Sequence, residues 1–180
     1  MGVFYTGKGD GGASLLWNNK KINKSSKEIE LLGSLDELNS LLGIIRSSTN
    51  KNLTGRLLKI QQNLFSIQAT VFFIIMNKRK NAPAFEKQKT LDLEKEIEQI
   101  EKSTSPQKKF IIPGESPTSA WLDFARTNTR KVERAAFVLN KTKKIPAEIL
   151  SYLNRLSSLF FALARQEAET KGVKEQNPKY

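Results

Sequence analysis

Four short stretches carry the side chains that could do chemistry. Residues 5–14 read YTGKGDGGAS, with four glycines, one lysine and one aspartate. Glycines let a backbone turn through positive φ, so that several N–H groups converge on an anion. Lys8 adds a point charge, and Thr6 and Ser14 add hydroxyl donors. The stretch reads as a phosphate cradle or as a plain flexible turn. It is not a Walker A loop, because no GK[ST] follows a four-residue spacer, and it is not a GxGxxG after a strand. Residues 125–134, ARTNTRKVER, set Arg126, Arg130, Glu133 and Arg134 at i, i+4, i+7 and i+8 on one helix face. Three guanidiniums and a carboxylate make either a solvated, salt-bridged face or an anion clamp. Apolar neighbours such as Trp121, Leu122, Val132 and Phe137 leave this helix little polar surface, so partly buried arginines in need of partners are expected. GSLDELNS (33–40) puts Asp36, Asn39 and Ser40 along one flank of a leucine stripe. Asp36 either pairs with an arginine of the later helix or marks a plain helix edge. Asn154, in YLNRLSS, is a poor helix former beside core leucines, which points to a hydrogen-bonding duty.

Composition narrows the chemistry. The chain has 180 residues and contains neither histidine nor cysteine. That excludes disulfides, thiolate nucleophiles, imidazole bases and imidazole or thiolate metal ligands. Any chemistry must run on Lys, Arg, Asp, Glu, Ser, Thr, Tyr and amides. The formal charge is +12, from 30 Lys plus Arg against 18 Asp plus Glu. Such a surface attracts polyanions, although lysines scattered through loops commonly serve solubility. No signal peptide is expected ahead of the glycine stretch, and the most apolar run, residues 64–76, is too short and interrupted to span a bilayer. A cytoplasmic protein with no membrane partner is expected.

The elements that must position these residues are helical. Leu31, Leu35, Leu38 and Leu42 predict a helix over Lys27–Ser47, and a second is predicted over Asn52–Asn77. Pro83 breaks the pattern, and a short polar helix is expected over Lys89–Lys102. FIIPGES, from Phe110, reads as a strand-like entry into a turn. Ser116-Pro117 fits an N-cap followed by a first-turn proline, opening a helix that runs to about Asn140. A fifth helix begins after Pro146, with Ile149, Leu153, Leu156, Phe160 and Leu163 on one stripe. The expectation is an all-α, five-helix bundle of ferritin-like up-down packing with no convincing strands. Residues 1–26 form an N-terminal arm, 27–172 the bundle and 173–180 a frayed tail.

Taken in series, the chain resembles the PduO-type ATP:cob(I)alamin adenosyltransferases. YTGKGDGGAS resembles the family's nucleotide loop, Lys24 in KKINK its phosphate-binding lysine, and GSLDELNS its first-helix signature. FIIPGES resembles its F-x-x-P-G-G segment, ARTNTRKVER its arginine-rich helix and YLNRLSSLFF its last helix. The resemblance implies a homotrimeric bundle with ATP held between subunits. Thr6, Gly7, Lys8, Gly9, Asp10, Ser14 and Lys24 would hold ATP from one subunit. Arg130, Lys131, Glu133, Arg134 and Asn154 would hold it from the next. Arg126, Arg130 and Asn154 would act in transfer, Arg126 pairing with Asp36 across the interface. Phe110 would press on the lower corrin face, with Asp36 and Ser40 on the corrin side. Mg²⁺ would bind through the ATP phosphates with no protein ligand assigned. The implied reaction is attack of Co(I) on the 5′ carbon of ATP, expelling triphosphate; the metal is its own nucleophile, so His and Cys are not needed. A cobalamin-dependent client enzyme is a further implied partner.

The sequence departs from the family pattern at several points. Lys131 stands where an arginine is usual, losing a bidentate fork. Glu115 replaces the second glycine of PGG, Asp123 a common histidine, and Ser158 an aspartate. Ala13-Ser14 stands where a Thr pair is frequent. Glu115 and Asp123 are expected to add negative charge on the corrin side. That favours one rival, a non-catalytic ATP- or cobalamin-binding relative. A basic nucleic-acid-binding module ranks behind it, because no helix-turn-helix or aromatic-plus-basic motif stands out; no nucleic-acid partner is expected.

Overall fold

Three of the five helices start at a side-chain cap that the sequence supplies. The structure, a computed structural model, describes residues 4–5, 7–16, 20–105 and 109–179. Helix α1 (Lys27–Ser47) is capped by Ser26, whose hydroxyl accepts from the Ile29 N–H, and Glu28 and Glu30 sit in its first turn against the helix dipole. Helix α2 (Lys51–Ile75) is capped by Asn50, which accepts from Leu53 N–H at 3.0 Å. Helix α3 spans Gln88–Ser103, α4 Pro117–Lys143 and α5 Ala147–Thr170. Ser116 and Ser119 form a reciprocal capping box at the start of α4, with Pro117 in its first turn. Pro146 precedes α5.

In the bundle, α1 lies between α2 and α4, and α5 lies between α4 and α3. Cross-pairs close this row: Arg56–Glu96 and Lys59–Asp92 join α2 to α3, each at 3.1 Å, and Asn63 Nδ2 donates to the Tyr152 hydroxyl of α5 at 3.1 Å. The leucine stripes converge on one core, in which Leu35, Leu38, Leu42, Leu57, Leu64, Leu153 and Phe160 are fully buried. Helix α3 shows what holds it. Its ion pairs are partly exposed and screened by solvent, whereas burying Leu93 and Ile100 contributes roughly 1.5–3 kcal/mol apiece. Apolar burial therefore dominates even this very polar helix.

Two expectations change. The N-terminal arm holds a two-stranded antiparallel hairpin, β1 (Ala13–Leu15) and β2 (Lys21–Asn23), with Ser14 opposite Ile22. Strands of three residues are too short to display alternation, so the sequence pattern passed over them. The tail expected to fray is paired. Ile112 N–H donates to Gln176 O at 2.8 Å, and Asn177 Nδ2 donates to Phe110 O at 2.8 Å. The strand-like reading of FIIPGES survives as this single bridge.

Candidate functional site

The glycine stretch folds into two successive turns, with Asp10 N–H directed at Gly7 O (3.4 Å) and Gly12 N–H at Gly9 O (3.3 Å). Gly7 and Gly12 take positive φ, 66° and 77°, which side-chain-bearing residues avoid. Gly9 lies close beneath a side chain: a Cβ there would lie 3.2 Å from Lys24 Nζ, which would have to shift. The β-hairpin makes that approach, because its pairing continues into a Lys24 N–H to Gly12 O bond of 2.9 Å. Lys20 Nζ, bonded to Ile75 O at 3.1 Å, ties the hairpin to the end of α2. A glycine-rich turn with an ammonium over it has the composition of an anion-binding loop. Gly7, Lys8, Asp10 and Lys24 are exposed, and Gly9 and Ser14 half-buried. Thr6 lies outside the described residues.

A second group of polar side chains runs along the seam of the antiparallel helices α4 and α5. At one end Asn154 Nδ2 donates to Glu133 Oε1 at 2.8 Å. One helical turn on, Arg130, Ser157 and Ser158 line a cavity of about 610 Å³, which continues past Arg126 and Phe161 to Arg165. Arg130 is exposed there and its side chain has no partner among the described residues. Such an unpaired guanidinium beside a cavity is suited to an anion. Arg134 is exposed on the same helix. Lys131 points elsewhere: its Nζ bonds Glu37 Oε2 on α1 at 2.7 Å, and that hydrogen bond raises its pKa above 10.5. The family resemblance places Lys131 with Arg130 at the nucleotide; within one chain it is bonded to α1. Asp36 and Ser40 are exposed on α1. Among the described residues, no ion pair joins Asp36 to Arg126 within the chain; Arg126 Nε faces Asp123 Oδ1 at 3.5 Å instead.

Phe110 stands 78% exposed at the rim of a second cavity, of about 690 Å³, whose floor includes Asp123, Arg126, Phe161 and Arg165. The two cavities share Arg126, Phe161 and Arg165 as a common wall. Here the expected negative charge of Asp123 is corrected. Asp123 is 3% exposed, and its Oδ2 accepts from the Arg165 guanidinium while Oδ1 faces Arg126. Its charge is compensated inside the fold instead of being presented to a ligand. Arg165 also stacks over the Phe161 ring, 4.9 Å from its centroid, and brings Nε to 2.8 Å from Glu175 Oε1, without hydrogen-bond alignment. Burial pushes the Glu175 carboxyl above its usual range, against the pull of Arg165; Asp123, Glu115 and Glu169 add to the rise.

Sequence reasoning missed Arg165, Phe161 and Glu175. One signal was available: Arg165 sits in the apolar run LFFALAR and Asp123 in WLDFA. Each is a lone charge on a core-facing stripe, and a buried charge needs an opposite partner.

Together these features define a class: a helical bundle carrying a glycine-lysine turn on an arm and an arginine-lined seam over two cavities that share a wall. The cobalamin adenosyltransferase family model matches residues 4–167. The chain is 36% identical over 174 residues to a corrinoid adenosyltransferase of Bacillus subtilis, covering 94% of this chain and 88% of that one. It is 32% identical over 176 residues to one of Citrobacter freundii, covering 94% and 97%. Among solved structures, a variant PduO-type ATP:corrinoid adenosyltransferase from Lactobacillus reuteri, complexed with cobalamin and ATP, superposes with a TM-score of 0.90 at 30% identity, covering 98% of this chain and 99% of that one. The chain belongs to the cobalamin adenosyltransferase family.

Proposed function

We propose that this protein transfers the 5′-deoxyadenosyl group of ATP to cob(I)alamin, releasing triphosphate and forming adenosylcobalamin. The observation that carries this is the overlap of 98% of the chain with an enzyme solved with both cobalamin and ATP. Cobalt(I) supplies the electron pair that bonds C5′, and the bond from C5′ to the triphosphate oxygen breaks with its pair on the leaving group. The protein must align the two centres and stabilise the departing charge.

In this reading the site forms between protomers of a homotrimer. Thr6, Gly7, Lys8, Gly9, Asp10, Ser14 and Lys24 of one protomer hold the nucleotide; the approach of Lys24 to Gly9 supports this. Arg130, Lys131, Glu133, Arg134 and Asn154 of the next protomer complete the grip, supported by the Glu133–Asn154 bond beside the cavity. Arg126 and Asp36 meet across the junction, so Asp36→Arg should weaken the trimer in a sedimentation measurement. Phe110, with Asp36 and Ser40, serves the corrin side. No group of three or more acidic, His or Cys residues able to hold a metal occurs among the described residues. Mg²⁺ would ride on the triphosphate, where it neutralises phosphate charge. No helix among the described residues is long and apolar enough to cross a membrane; we infer a cytoplasmic enzyme, where ATP is supplied, that passes its product to a cobalamin-dependent client.

An anaerobic assay with reduced cobalamin and Mg-ATP tests the reading. The adenosylcobalamin spectrum and one triphosphate per product are expected. Tight binding of both ligands without product would identify a non-catalytic relative.

A further inference from the structure

Among the described residues no carboxylate is more deeply buried than Asp123, at 3% exposure, and no basic side chain more deeply than Arg165, at 5%. A lone charge at that depth costs several kcal/mol, so each requires the other. The arrangement does more than cancel charge. Asp123 faces two guanidiniums, accepting from Arg165 at Oδ2 and lying 3.5 Å from Arg126 at Oδ1, and these two arginines stand with Phe161 in the wall the cavities share. Arg165 then reaches Glu175 in the C-terminal tail. The next two tail residues bind the Phe110 segment, through Gln176 O to Ile112 N–H and Asn177 Nδ2 to Phe110 O. Two carboxylates and two guanidiniums balance to zero, and a continuous series of contacts runs from the core of α4 to the backbone of Phe110.

We propose that Asp123 is a positioning residue: its carboxylate fixes Arg126 and Arg165 as the shared wall and, through Arg165 and Glu175, seats the tail against the Phe110 segment. Its kinetic consequence rests on the adenosyl-transfer reading; its structural consequence does not. Removing the negative charge at constant volume leaves two guanidiniums facing one remaining carboxylate. Arg126 loses its counter-charge within the chain, Arg165 is drawn toward Glu175, and the tail loses its anchor to the core.

The test uses Asp123→Asn and Glu175→Gln in the full chain. Amide hydrogen exchange, followed at Ile112 and at a core amide such as Leu64, reads tail seating without any ligand. In both variants Ile112 should exchange about tenfold faster, with Leu64 unchanged. For Asp123→Asn, the KM for cob(I)alamin should rise about tenfold while the KM for ATP stays within about twofold, a split that a general loss of stability would not produce. Unchanged exchange at Ile112 in both variants overturns the proposal. So does an equal rise in both KM values. If Asp123→Asn does not fold, Glu175→Gln alone decides through the exchange of Ile112. Should the wild type form no adenosylcobalamin, the transfer reading fails, and exchange still decides the role of Asp123.

Discussion

Lys24 stands over Gly9 so closely that a Cβ at position 9 would come within 3.2 Å of its ammonium. The glycine and the lysine, fifteen positions apart, are thus one device, assembled by the hairpin between them. The contact atom is the far end of a flexible side chain, so a methyl group would displace it without unfolding anything. Gly9→Ala should weaken ATP binding severalfold, and Lys24→Ala by about 10–100-fold, the scale of one charge-assisted hydrogen bond. Calorimetric titration with Mg-ATP reads both, and neither should move Tm by more than about 2 °C. Unchanged ATP affinity in Lys24→Ala would remove the arm from the site.

Arg130 lines the seam cavity, and its guanidinium has no partner among the described residues. Removing it leaves no buried charge unpaired, so Arg130→Ala should keep the melting curve of the wild type. Transfer should fall by about 2–4 kcal/mol of transition-state stabilisation, roughly 30–1,000-fold. Wild-type turnover in this variant would show that Arg130 touches nothing that reacts.

Phe110 is exposed while its backbone is clasped by Asn177. Phe110→Ala should change stability by less than about 0.5 kcal/mol. It should depress transfer to cobalamin and leave the affinity for ATP intact. A collapse of ATP affinity would instead make Phe110 a packing residue.

Glu96 offers a test by pH. Burial raises its carboxyl above 4.5, outweighing Arg56 and Lys59, and its Oε1 has no aligned hydrogen bond. Between 4.5 and the raised value the folded state binds a proton that the unfolded chain releases, so this group makes stability fall as pH rises through that window. Glu96→Gln should remove that part of the slope and be roughly 0–1 kcal/mol more stable than the wild type at pH 7. Thermal melts of both proteins across the acid range compare them directly; a less stable variant at neutral pH would mean the Arg56 pair outweighs desolvation.

Much of this was legible in the sequence, and for stated reasons. The leucine spacing reports helices because a core-facing stripe must recur every three or four residues; α1 spans the predicted Lys27–Ser47. Ser116-Pro117 announced α4 because a cap and a first-turn proline need only local geometry. The hairpin was not legible, since three-residue strands carry no period. Nor was the Asp123–Arg165 pair, because its 42-residue separation is bridged only by the antiparallel packing of α4 on α5. The Lys131–Glu37 pair was hidden for the same reason: Glu37 reaches Lys131 from another helix.

The central claim is that the arm of one protomer and the arginine seam of the next close over one nucleotide. Co-refolding Lys24→Ala with Arg130→Ala tests it most directly. Each variant alone should be nearly inactive. In randomly mixed trimers, one junction in four combines an intact arm with an intact seam, so about a quarter of wild-type transfer should return. If the mixture stays as inactive as its parents, both halves of the site belong to one chain and the shared-site account is wrong.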